Sequence, residues 1–88
     1  MDTAYQAIYW RLEQSHWWFQ GRAHFILGLL RRLKVPASGA ILELGCSAAP
    51  LIRRFHAAGF SNVTGIDLSE DAIQRCHAGG LVNTAVMD

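Results

Sequence analysis

Cysteine is scarce in this chain of 88 residues: Cys46 and Cys76 are the only two, and they stand 30 positions apart. That spacing excludes a CxxC redox or zinc motif, and two thiols make no disulfide framework. With no signal-peptide pattern at the start, they read as reduced residues of a cytoplasmic protein. Charge is equally sparse. Charged residues make up 17% of the chain and the net charge is +1, which gives no field for nucleic acid, membrane or acidic substrates. Long apolar runs are missing too, since Phe25-Ile26-Leu27-Gly28-Leu29-Leu30 stops at Arg31-Arg32, far short of a bilayer span. The four histidines, His16, His24, His56 and His77, contain no i, i+4 pair, so no metal site is expected. No serine or cysteine has a histidine and a carboxylate placed to activate it, and no catalytic residue can be named. Repeats and low-complexity segments are absent.

What the chain does have is apolar residues, 51% of the total, at a density that suits a buried parallel sheet. The pattern predicts a helical lead-in over residues 1–34 and a linker, Val35-Pro36-Ala37-Ser38-Gly39. Alternating strands and helices follow: strand 40–44, helix 50–58, strand 62–66, helix 70–78 and strand 83–87, within a second domain over 40–88. Pro50 suits a first helical turn, and Leu51, Ile52, Phe55 and Ala58 recur at helical spacing to face the sheet before Gly59 stops the run. Ser69 is a good N-cap, Glu70 and Asp71 put negative charge at the positive helix end, and Ile73 and Cys76 point inward before Gly79-Gly80. In the lead-in, Tyr5, Ile8, Tyr9 and Leu12 share one helical face and are expected in the core. Trp17, Trp18 and Phe19 are consecutive, cannot all face inward, and leave at least one ring for a ligand, a lid surface or the missing half of the domain.

Chemistry enters at the strand ends. Glu43-Leu44-Gly45-Cys46-Ser47-Ala48-Ala49-Pro50 follows Ala40-Ile41-Leu42, and Asp67 closes the run Val63-Thr64-Gly65-Ile66, 22 positions after Gly45. Such a pairing marks a nucleoside-binding βαβ unit: the glycine lets a ligand approach the backbone, the next helix N-terminus offers N–H donors, and the second acid takes ribose hydroxyls. Acidic Glu43 and Pro50, where a third fingerprint glycine would stand, speak against a nicotinamide-dependent oxidoreductase.

These residues resemble the first motif of the class I S-adenosylmethionine-dependent methyltransferases, acid-x-Gly-x-Gly-x-Gly after a buried strand. Glu43 and Gly45 match; Ser47 and Ala49 replace the second and third glycines, and a left-handed backbone there would cost about 1 kcal/mol or more each. Gly65-Ile66-Asp67-Leu68-Ser69 is similar to the second motif, and Val86-Met87-Asp88 to the segment where the family places an acid near the adenine amine. Upstream, His16-Trp17-Trp18-Phe19-Gln20-Gly21-Arg22 looks like the HWWF-x-x-R segment of many bacterial members. The resemblance implies an α/β, Rossmann-like fold, S-adenosylmethionine as cofactor, and methyl transfer to an unidentified acceptor, a small molecule among the options. It assigns cofactor contacts to Glu43, Gly45, Cys46, Ser47, Asp67, Leu68 and Asp88, with Glu43 orienting the loop and the methionine end. Arg22 would pair with the cofactor carboxylate; its plain alternative is a solvated helix charge. Asp67 alone could instead be a helix-start acid.

Three strands in the order 3-2-1 make only one mononucleotide half of a doubly wound parallel sheet, and 88 residues fall below the commonest domain size of about 100–150. A truncated domain is expected, inactive alone and prone to self-association at the apolar edge Ile41-Leu42-Glu43-Leu44. The competing reading is a non-catalytic domain, with Ser47 and Ala49 marking a lapsed cofactor site and the Trp-rich helix contacting a partner.

Overall fold

The computed structural model describes residues 3–87, apart from the side chains of Gln14 and Ser15. The chain divides into two compact units between Lys34 and Val35. The first holds two helices, α1 (Thr3–Ser15) and α2 (Trp17–Arg32), separated by one residue. That residue, His16, serves both: its N–H donates to Leu12 O at 2.7 Å to finish α1, and its Nδ1 accepts from Trp18 N at 3.2 Å to cap α2. Phe19 then meets Tyr9 edge-on at 5.7 Å and Trp18 at 5.0 Å, while Trp17 and Trp18 remain exposed.

The interior of α1 differs from the expected stripe. Tyr5, Ile8 and Leu12 are exposed, and the buried side is formed by Trp10 with Glu13, three residues on. The indole of Trp10 carries the most apolar area on the helix, and turning it inward rotates the smaller apolar residues out. No helix among the described residues is long and apolar enough to cross a membrane.

The second unit alternates strand and helix as its sequence predicts: β1 (Ile41–Leu44), α3 (Pro50–Ala57), β2 (Val63–Asp67), α4 (Glu70–Ala78) and β3 (Thr84–Val86). Observed ends differ from the predicted ones by a residue or two. The strands are parallel, in the order β1-β2-β3, which is the expected 3-2-1 read from the other edge. Ile41 pairs with Val63 and Glu43 with Gly65, and Gly65 in turn with Thr84. With side chains alternating across the pleat, Val63, Gly65 and Thr84 fall on one face and are buried beneath the helices. Leu51, Ile52 and Phe55 of α3 and Ala72, Ile73 and Cys76 of α4 complete that core, close to the inward faces read from periodicity.

Gly65 is where the packing is tightest. A Cβ there would lie 2.6 Å from Ile52 Cδ1 and 2.9 Å from both Cβ and Sγ of Cys46, so the missing side chain is what lets α3 and the loop after β1 settle onto β2. The opposite sheet face carries Leu42 and Leu44, both exposed, and the outer edge of β1 pairs with no strand among the described residues.

Candidate functional site

The loop from β1 to α3 has an alternating backbone. Gly45, Ser47 and Ala49 take φ values of 73°, 55° and 63°, all left-handed, while Cys46 and Ala48 between them are buried. These are the three positions of the expected glycine motif, and the backbone keeps the glycine conformation although only the first is glycine. Two side chains therefore sit where an L-residue costs about 1–2 kcal/mol each. Ala49 is 0% exposed, so its methyl group is turned into the core and away from any ligand side. At Gly45 a Cβ would meet nothing within 4 Å, which leaves the approach to its backbone open.

Asp67, the last residue of β2, holds this loop in place. Its Oδ2 accepts from Ser47 N at 2.8 Å and its Oδ1 from Ser69 N at 2.9 Å. Ser69 then caps α4 through Oγ, which accepts from Ala72 N at 3.2 Å. One carboxylate thus joins the β1 loop to the start of α4. Two ionised oxygens offer about four acceptor positions, so lone pairs remain for a ligand. The alternatives weighed from sequence, ribose acceptor or helix-start acid, are not exclusive at this residue.

Part of the expected supply of N–H donors before α3 is engaged within the loop. Gly45 N and Cys46 N both donate to Ile66 O, at 2.8 and 3.0 Å, and Ala49 N donates to Cys46 O at 2.8 Å. Ser47 N is held by Asp67, Pro50 has no N–H, and Leu51 and Ile52 are buried. A pyrophosphate needs several converging amides. Here four of the loop's N–H groups, those of Gly45, Cys46, Ser47 and Ala49, are already engaged.

Above the strand ends lies a concavity of about 360 Å³ lined by Leu44, Gly45, Ile66, Asp67, Leu68 and Met87. It brings together three of the residues read from sequence, Gly45, Asp67 and Leu68, and adds Leu44, Ile66 and Met87. Strand register was the available signal for the first two additions, because Leu44 ends β1 and Ile66, its partner in β2, lies one residue before that strand's end. Glu43, Cys46 and Ser47 do not line it. Glu43 is half-buried on the helix-covered side, near enough to Cys46 to raise its thiol pKa. Cys46 is 2% exposed, and burial first, then Cys76, Glu43 and Asp67, push its thiol up to about 12. Arg22 belongs to the helical unit, where its guanidinium lies 5.8 Å from the Trp18 ring centre. Asp88 lies outside the described residues. Among the described residues no cluster of histidine, cysteine and carboxylate side chains could hold a metal.

No protein-family model matches the chain, and neither does any curated protein. Among solved structures, protein 1320 of Thermoplasma acidophilum is similar over 76% of this chain and 39% of its own length, with 25% identity and a TM-score of 0.62. An S-adenosylmethionine-dependent methyltransferase from Mesorhizobium loti aligns over 64% of this chain and 27% of its own, with 34% identity and a TM-score of 0.48. The chain thus spans well under half the length of either protein. The first likeness agrees with the α/β fold built above; a TM-score below 0.5 adds nothing to it.

Proposed function

We propose that the second unit binds S-adenosylmethionine at the ends of β1 and β2, and that the chain carries the cofactor-binding part of a methyltransferase. One observation carries this reading: a concavity in which Gly45 and Asp67 converge among Leu44, Ile66, Leu68 and Met87, beside a loop in which the amides of Gly45, Cys46, Ser47 and Ala49 are already committed. Apolar walls suit a purine, a carboxylate with spare lone pairs suits vicinal hydroxyls, and a loop with four of its amides already bonded suits a nucleoside that has no phosphate. Glu43 and Pro50 set this reading apart from a nicotinamide-dependent oxidoreductase. When bound, the sulfonium of the cofactor supplies an electrophilic methyl group to an acceptor. The work of these residues is to bind and orient, through open backbone at Gly45 and hydroxyl recognition at Asp67.

Calorimetric titration with S-adenosylmethionine and with its analogue lacking the ribose hydroxyls tests the reading. A hydrogen bond to a charged group is worth about 1.5–3 kcal/mol, so the analogue should bind tenfold more weakly or worse. Equal affinities would remove Asp67 from ribose recognition. Absence of binding to either would leave the non-catalytic reading standing.

A further inference from the structure

Under the loop, two thiols share one carbonyl. Cys76 Sγ donates to Ser47 O at 3.3 Å and Cys46 Sγ to the same oxygen at 3.6 Å. Both sulfurs thus lie within 3.6 Å of one oxygen atom. Cys46 is held there by its seat on Gly65, and Cys76 by α4, where it is 0% exposed. Neither lines the concavity, so the proposed binding role uses neither. Residues 30 apart in the chain are therefore brought together at the carbonyl of Ser47, one of the two strained residues of the loop.

We propose that Cys46 and Cys76 are a modification site: a peroxide oxidises them to an intramolecular disulfide, reversibly, and the bond changes how the Ser47 loop is held. In the first step one thiol sulfur, as thiolate, attacks the peroxide; an S–O bond forms, the O–O bond breaks, and water leaves after protonation. In the second, the other sulfur attacks the sulfenic sulfur; the S–S bond forms, the S–O bond breaks, and a second water departs. Both thiol protons end in water, two electrons pass from sulfur to the peroxide, and a dithiol reductant reverses the change. Ser47 O then loses both S–H donors, and the loop gains a covalent tie to α4. Burial keeps both thiols protonated and shielded in the closed loop, so oxidation proceeds through local opening.

The test is to expose the folded 88-residue chain, dilute, to hydrogen peroxide. The chain is then unfolded in an alkylating agent and its intact mass read. The expected product is monomeric, lighter by two hydrogens, closed to alkylation, and restored by dithiothreitol, with a Cys46–Cys76 cross-linked peptide after digestion. Two thiols still open to alkylation, added oxygen on either cysteine, linkage between chains, or closure only in denaturant would each overturn the assignment. The Ser47 amide resonance should move when the bond forms; a resonance that stays in place would overturn the link to the loop.

Discussion

Ser47 and Ala49 face the same backbone demand with different surroundings, which makes their glycine variants informative as a pair. Left-handed φ costs an L-residue about 1–2 kcal/mol, and glycine returns about 0.5–1 kcal/mol of that through its more flexible unfolded chain. Ser47→Gly should therefore stabilise the chain, by up to about 1 kcal/mol in urea unfolding. At Ala49 the fully buried methyl group contributes about 0.8 kcal/mol, so Ala49→Gly should come out close to neutral. If both variants lose stability, left-handed strain is not stored in this loop. Gly65 is the opposite case, where space is the constraint. Gly65→Ala would press on Ile52 and on Cys46, and should lower stability by about 1–3 kcal/mol or more in the same measurement. Cys46 adds a pH dependence. Its thiol rises from an ordinary 9.0 to about 12 on folding, so above pH 9 the folded chain keeps a proton that the unfolded chain releases. Stability is complete below that point and falls as pH climbs toward 12. Cys46→Ala should flatten part of this alkaline decline in thermal melts; an unaltered slope would assign the decline to other groups.

The helices α3 and α4 end in the same way. Gly59 and Gly80 take φ of 98° and 89°; Phe60 N bonds to Phe55 O at 2.9 Å and Leu81 N to Cys76 O at 2.8 Å, each closing a Schellman turn over a buried contact. Added Cβ atoms would meet nothing within 4 Å at either glycine, so Gly59→Ala and Gly80→Ala should each cost about 1 kcal/mol from backbone strain alone. Loss of several kcal/mol would mean that the neighbours of these turns also clash. Elements of this kind were legible because their signals are local: Pro50 at a helix start, Ser69 at a cap, glycine after each last turn. Features that depend on distant segments were not legible. The bond from Ser47 N to Asp67, the meeting of Cys46 with Cys76, and the bonds of Gly45 N and Cys46 N to Ile66 O exist only after β2 and α4 have docked. His16 escaped notice for another reason, since histidine is not among the preferred N-cap residues. The inward turn of α1 depended on Trp10 outweighing a regular stripe, which periodicity alone does not register.

For the molecule as a whole, the exposed apolar face beside the open edge of β1 is the dominant surface feature of the second unit. Leu42 and Leu44 are 60% and 71% exposed, and an unpaired strand edge next to them is a template for another chain. The chain should elute from size-exclusion columns ahead of a monomer, increasingly so with concentration, and Leu42→Lys should shift it back. Leu42 does not line the concavity, so this variant should leave ligand affinity unaltered. A wild-type chain that elutes as a monomer at all concentrations would show that the face is tolerated in water. The order of the sheet has a consequence for how the unit is made. Each strand pairs with the one before it in the chain, with no strand inserted later between earlier neighbours. Closing β1 on β2, and then β2 on β3, needs only one short crossover at a time, so the entropy of loop closure stays small at every step. A ribosome releasing this segment from its amino end would deliver each piece when its docking surface was already assembled, and folding could keep pace with synthesis without waiting for the last residue.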